Sequence, residues 1–432
     1  MKKSLKLLIA VLFAAALAVA VACLLLPLRQ TASPLPAQTE GLPVLTQTDG
    51  TAPALSQTSD TTEPVQTGTA AEEPTQTQDD PFLQQAEQLV SDMTLYEKLC
   101  QLMILSPDTL TGVHPTLEAD ETMRAALEKY PVCGFSFGQE NLCTRDQTVS
   151  FLSGLQSASE LGLLLCVDEE GGTVWRVMGN PQMGTTRLDS MFSYRDLGGL
   201  TAYRNAQTIA EELSLLGFNV DFAPVADVWS NTDNTVIGSR AYSDSYPQAA
   251  ELVAQAVHGF HAGNTACTLK HFPGHGDTSE DTHKGTATVN RTRQELFDGE
   301  LLPFRAGIEA GADLVMIGHL SVPSLDPDDP ATFSYPIVTE LLRGELGFDG
   351  VVITDALGMG ALSQYSEAER CQKALAAGCD ILLGVTKPEQ TLKELTRAVE
   401  EGELTRERID ESVVRILKLK LERGILPMPE NG

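Results

Sequence analysis

The run Cys267-Thr268-Leu269-Lys270-His271-Phe272-Pro273-Gly274-His275-Gly276-Asp277-Thr278-Ser279-Glu280-Asp281-Thr282-His283 begins as a short apolar strand and runs out into a polar loop. It holds three of the chain's seven histidines. Gly, Pro and Asp are ordinary turn residues, whereas the histidines need another reason. Imidazole titrates nearest neutral pH, and an Asp two residues away can hold one ring nitrogen while the other moves a proton. Asp281 and His283 have that spacing. His271, His275, Asp277 and His283 are equally suited to ligate a metal, and spacing alone does not choose between dyad and metal site.

Outward from this run, the same pattern of apolar strand and polar exit recurs. The runs are Leu102 to Leu105, Gly134 to Phe137, Leu163 to Val167, Val220 to Val225, Cys267 to Leu269, Leu314 to Ile317, Val351 to Thr354 and Ile381 to Leu383. Amphipathic segments with helical spacing lie between most of them, among them Ala202 to Leu216, Tyr246 to Ala262, Arg291 to Ala310 and Glu367 to Ala377. Strand and helix alternating in this way predict an α/β fold, a single (β/α)8 TIM-type barrel over residues 81–432. The rival is an open doubly wound sheet. A Gly-x-Gly-x-x-Gly after the first strand would support dinucleotide binding by such a sheet, and none is present.

A barrel gathers its site on the loops that follow the strands. Here the third strand exits into Asp168-Glu169-Glu170-Gly171-Gly172 and then Arg176, and the fourth carries Asp221, Asp227 and, further on, Arg240. The fifth exits at Lys270-His271, the sixth at His319 and the seventh at Asp355. One charged exit is commonly a structural ion pair. Five together point to a pocket for a polar ligand.

Lys270 to His283, Asp168 to Gly172, Asp221-Phe222-Ala223-Pro224-Val225 and Thr354-Asp355-Ala356-Leu357-Gly358-Met359 together resemble the β-N-acetylhexosaminidase (β-N-acetylglucosaminidase) branch of glycoside hydrolase family 3. The resemblance extends from about Pro81 to Leu421. It implies that Asp355 is the nucleophile and that His283, held by Asp281, is the general acid/base. It further implies that Asp168, Arg176, Arg240, Lys270 and His271 bind the sugar. No metal and no cofactor is implied, which decides the loop in favour of the dyad. The implied reaction is retaining, exo-acting removal of terminal β-linked N-acetylglucosamine from peptidoglycan fragments, through a glycosyl-Asp intermediate.

Two motifs depart from the family pattern. The dyad reads Asp281-Thr282-His283, with Thr where Ser is usual, and the arginine motif reads Gly238-Ser239-Arg240-Ala241-Tyr242. These leave the preferred sugar open, so a β-glucosidase or β-xylosidase of the same family stands as the alternative. A neutral His as acid/base tolerates an anionic acceptor, which keeps a phosphorylase in view. An inactive cell-wall-binding module is the alternative of another class. Only Glu422 to Gly432 follow Leu421, which leaves no room for the extra domain usual in the β-glucosidases and favours the single-barrel branch.

Each residue also has a plainer reading. Asp355 can cap a helix beginning at Ala356, Arg240 can serve a surface ion pair, and Trp175 can stack on a sugar or pack beneath its loop. Asp221 and Asp227 are expected to be structural hydrogen-bond partners, His275 and Asp277 to shape their loop, and His319 to stand in the pocket wall.

Ahead of the barrel, Lys2, Lys3 and Lys6 precede an uncharged, mostly apolar stretch from Leu7 to Leu28. As a helix it spans a hydrocarbon core of roughly 30 Å. Residues 1–28 therefore read as an uncleaved signal anchor, in preference to a cleaved signal or a lipoprotein box at Ala20-Val21-Ala22-Cys23, because Leu24-Leu25-Leu26 continues the apolar run. The lysines place the short end in the cytoplasm and the barrel outside the cell membrane. Residues 29–80 are rich in Thr, Gln and Pro, too poor in large apolar groups to order themselves, and read as a disordered linker. With 30 basic against 59 acidic residues the chain lacks the positive surface that a nucleic acid needs. The eight cysteines show no zinc spacing, and Cys133 and Cys143 are the only close pair outside apolar runs.

Overall fold

The computed structural model describes residues 80–278, 285 and 287–429 of the chain. The expected anchor (1–28) and nearly all of the expected linker (29–80) lie outside them. Among the described residues no helix is long and apolar enough to cross a membrane.

Eight parallel strands form the centre: β1 (Met103–Leu105), β2 (Gly134–Ser136), β3 (Leu164–Val167), β4 (Val220–Asp221), β5 (Ala266–Phe272), β6 (Leu314–Ile317), β7 (Val351–Thr354) and β8 (Leu382–Leu383). Each pairs with its neighbour in chain order, and β8 returns to β1 through Met103↔Leu382 and Ile104↔Leu383. A parallel bridge between Ile353 and Ile381 joins β7 to the start of β8. The sheet is thus a nearly closed barrel with helices around it, as the alternating runs predict.

Three expectations shift in detail. β4 ends at Asp221, because Pro224 has no N–H to give the ladder, although Val225 still bridges Lys270. β5 runs past Leu269 to Phe272, with a change of register against β6 between those residues. Lys270 and His271 therefore sit on the rigid end of a strand. The segment Arg291 to Ala310 is two helices, Arg293–Asp298 and Leu301–Glu309. They part where Gly299 packs on the Tyr246 ring and buried Glu300 accepts the Tyr246 hydroxyl at 2.7 Å. Pro303 then falls in the first turn of the second helix, where its missing N–H costs nothing.

Helix starts follow local chemistry. Asp80 accepts from Phe82 N and Leu83 N, and Thr94 with Glu97, Thr292 with Glu295 and Ser366 with Glu369 form capping boxes. Between barrel and helices, Phe137 makes edge-on contacts with Phe135, Phe151 and Phe218 at 5.6–6.4 Å. Each such buried side chain contributes about 1.5–3 kcal/mol.

Candidate active site

A cavity of about 440 Å³ opens at the C-terminal ends of the strands. Asp168, Arg176, Arg240, Lys270, His271 and Asp355 all line it, which brings together the sugar-binding candidates and the candidate nucleophile. Asp281 and His283 lie outside the described residues, on the segment that leaves β5 beyond Thr278.

The β3 exit is a tight turn. Gly171 and Gly172 take φ of +90° and +62°, and a Cβ on Gly172 would stand 2.6 Å from Ser190 Cα. This turn sends three consecutive acids to three destinations. Asp168 faces the cavity. Glu169 turns back and accepts the backbone N–H groups of Arg176, Val177 and Met178 at 2.7–2.8 Å, which fixes the loop that carries Arg176. Glu170 goes beneath the cavity, its side chain 3 % exposed.

Glu170 there organises the cations. Arg240 donates to it from Nε and Nη2, each at 2.8 Å, and Lys270 Nζ lies 2.6 Å from Oε1. Lys270 Nζ also donates to Asp168 Oδ1 at 2.8 Å, and Arg176 Nη2 to Asp168 Oδ2 at 3.2 Å. Burial pushes the Glu170 carboxyl up, but the Arg240 and Lys270 charges outweigh it and hold the group far below the usual carboxylate range. Burial likewise works against the Lys270 ammonium, and Asp168 and Glu170 more than offset it, so its pKa stands above the ordinary lysine value. The result is a floor of fixed donors and acceptors, three cations on two carboxylates. Arg240 is accordingly no surface ion-pair residue.

The β4 and β5 exits are tied to each other. Ala226 donates to the Lys270 carbonyl at 2.7 Å, and the Lys270–His271 peptide bond is cis. Asp227 is buried and accepts from His271 Nδ1 at 2.7 Å and from the backbone N–H groups of His271 and His275. Gly276 lies so close to the β4 loop that a Cβ would meet Val228 O at 1.6 Å, which explains the glycine in Gly274-His275-Gly276. Asp277 is paired with Arg291 at 2.6 and 3.0 Å, and His275 Nδ1 lies 2.8 Å from Thr278 Oγ1. Both residues shape the loop, as expected, and His275 lines the cavity as well. Asp277, one of the four side chains weighed as metal ligands, is thus committed to a protein partner.

Asp355 follows β7. Its carboxylate accepts from Ala356 N at 2.7 Å and has no ion-pair partner among the described residues. Burial raises its pKa, yet the nearby His271 and His319 more than compensate and hold it below the ordinary Asp value, so it is ionised. No helix begins at Ala356; the segment turns instead, and the next helix, Glu367–Ala377, is capped by Ser366. The capping role for Asp355 is therefore wrong. His319 does not stand in the wall either. It is fully buried behind Asp355, with Nε2 at 3.0 Å from Ala356 O and Nδ1 at 2.6 Å from Thr332 Oγ1, and burial lowers its pKa. The Trp175 ring packs on Gly179 outside the cavity lining, so the packing reading holds. Asp221 accepts from Glu169 N at 2.9 Å, a structural partner as expected.

Residues 94–419 match the glycosyl hydrolase family 3 N terminal domain. The chain belongs to glycosyl hydrolase family 3. Beta-hexosaminidase A of Pseudoalteromonas piscicida is 35 % identical over 324 residues, covering 68 % of this chain and 54 % of that protein. A beta-hexosaminidase of Stenotrophomonas maltophilia is 39 % identical over 292 residues, 65 % of this chain and 83 % of the relative. A solved family 3 beta-N-acetylglucosaminidase from Paenibacillus sp. shares the fold with a TM-score of 0.72 and 37 % identity, over 79 % of this chain and 64 % of that one. The family 3 chain thus spans about half the length of the Pseudoalteromonas relative.

Sequence reasoning passed over Glu170 as a site residue although it sits inside the quoted Asp168 to Gly172 motif. The signal was three acids in a row before two glycines, more negative charge than one turn needs. The cysteines are simple: all seven in the described residues are free thiols, with Cys133 buried and Cys143 exposed.

Proposed function

We propose that this family 3 chain is a retaining, exo-acting β-N-acetylhexosaminidase that removes terminal β-linked N-acetylglucosamine from peptidoglycan fragments. The observation that carries the reading is that Asp355, whose carboxylate makes no ion pair among the described residues, lines one cavity with the Asp168, Lys270, Arg240 and Arg176 cluster. A cavity of about 440 Å³ suits one sugar with part of its leaving group. The named activities of the beta-hexosaminidase relatives support the choice of sugar.

In this reading the sugar hydroxyls are held by charged hydrogen bonds from Lys270, Arg240 and Arg176 and accepted by Asp168 and His271. Asp355 attacks the anomeric carbon as His283, steadied by Asp281, gives a proton to the leaving oxygen. The glycosyl ester on Asp355 then falls to a water whose proton His283 takes. We also propose that residues 1–28 anchor the chain in the cell membrane and that 29–80 link the anchor to an extracytoplasmic barrel. Sedimentation of the full chain with membranes, lost on removal of residues 1–28, is the expected outcome.

The catalytic test is release of p-nitrophenol from its β-N-acetylglucosaminide, with the β-glucoside and β-xyloside in parallel, with and without phosphate. Turnover is expected on the first substrate, and Asp355→Ala and His283→Ala should each lower it by about 10³-fold or more. Dependence on phosphate would move the reading to a phosphorylase. No turnover of any glycoside by folded protein would leave a binding module.

A further inference from the structure

Within the proposed sugar site, and resting on that reading, we propose that Asp227 is a positioning residue that locks His271 as its Nδ1–H tautomer and so presents Nε2 to the substrate. Asp227 is 1 % exposed and never reaches the cavity. Its Oδ2 lies 2.7 Å from His271 Nδ1, while the His271 backbone N–H reaches both oxygens at 3.1–3.2 Å and His275 N reaches Oδ1 at 2.6 Å. A carboxylate surrounded by donors can only accept, so the proton stays on Nδ1 whatever the charge of the ring.

The consequence is chemical. The ring lines the cavity, and with Nδ1 engaged the nitrogen left for a ligand is Nε2. In the neutral ring Nε2 is an acceptor. Lys270, Arg240 and Arg176 can only donate, so His271 Nε2 joins Asp168 as an acceptor for sugar O–H groups on this floor. An imidazole without Asp227 would sample the other tautomer, in which Nε2–H meets a hydroxyl hydrogen. The two N–H contacts from the backbone of His271 and His275 also fix the height of the ring above the floor.

The test combines nitrogen NMR with kinetics on the full chain. In protein labelled with ¹⁵N-histidine, the resonances lost in His271→Ala identify the ring, and wild type should show a protonated Nδ1 and an unprotonated Nε2. Asp227→Asn keeps the shape but turns an N–H group toward existing donors. It should shift the ring toward Nε2–H and lower kcat/KM for the N-acetylglucosaminide about 100-fold, mostly in kcat. In the His271→Ala background the same change should cost less than about threefold. An equal cost in both backgrounds, or an Nε2–H ring in wild type, would overturn the proposal. Should wild type turn over no N-acetylglucosaminide, the functional reading fails and the ring spectrum still decides the tautomer.

Discussion

At the N-terminal end of the barrel, Asp380 is fully buried just ahead of β8. Arg343 reaches its Oδ2 at 2.5 Å, and Ser412, Arg415 and Arg408 reach Oδ1 at 2.7, 3.2 and 3.3 Å. At the C-terminal end, Glu170 is as deeply buried and holds Arg240 and Lys270. The ends differ in what lies beyond the cations. Around Asp380 the arginines also close on backbone carbonyls, of Phe348 and Gly350 for Arg343 and of Leu375 and Cys379 for Arg408. Above Glu170 they face a cavity, and Asp168 and Arg176 remain 25 % and 30 % exposed. The same kind of ion pair fastens helices at one end and lines a cavity at the other. His261, Cys267 and Asp313 at the N-terminal end even bring metal-type donors together, but Arg423 lies among them, 2.6 Å from His261 Nε2, and already supplies the cation.

The sharpest way to break this contrast is Asp380→Ala. It strands three arginines around a buried gap and should lower unfolding stability by about 3–5 kcal/mol in a urea titration. Turnover per folded molecule should be unchanged. A loss below about 1 kcal/mol, or a fall in kcat, would mean that the two ends are not separate in role.

Glu170→Gln should show the opposite signature with a smaller magnitude. It removes charge-assisted bonds worth about 2 kcal/mol, so kcat/KM should drop roughly 30-fold. The midpoint of unfolding should move less than in Asp380→Ala, because Lys270 keeps Asp168 and Arg240 keeps the Val236 carbonyl. Were unfolding stability to fall more than catalysis, Glu170 would belong with Asp380 as a structural anchor.

The contrast also shows what sequence can carry. The strands were legible because apolar runs recur between amphipathic segments, and five of their exits carry charged or titratable groups, which placed Asp168, Arg240, Lys270 and Asp355 at one end. Pro224 explains the misjudged end of β4 through the N–H it lacks, and the packing of Gly299 and Glu300 on Tyr246 explains the divided helix. The work of Glu170 was not legible, because it depends on Arg240, 70 residues away in the chain. Asp227 was readable as a hydrogen-bond partner but not as the partner of His271, 44 residues distant. The burial of Lys420 was equally hidden, since a charged residue on an amphipathic helix looks solvated until its neighbours are placed, and so was that of Asp380 in the turn ahead of β8.

Lys420 gives the smallest effect and refines the account of the N-terminal end. It is fully buried, and its Nζ donates to Gln101 Oε1 and Gly162 O, each at 2.9 Å, with no carboxylate of the described residues paired to it. Burial therefore lowers its pKa from the ordinary 10.5. For a lysine shifted down on folding, the unfolded chain binds more protons between the folded value and 10.5, so stability rises with pH across that window. Below the folded value the unfavourable burial of charge is present in full; above 10.5 both states are neutral and it is gone. Lys420→Met removes the titration but leaves two carbonyl acceptors unpaired, a cost that does not depend on pH. The difference in unfolding free energy between wild type and Lys420→Met should consequently tilt toward wild type as pH rises from neutral toward 10.5, while the raised Tyr242, which does not feel Lys420, cancels. A flat difference would show that the ammonium is as well solvated by its two carbonyls as by water, and the buried charge at this end would then be neutral to stability.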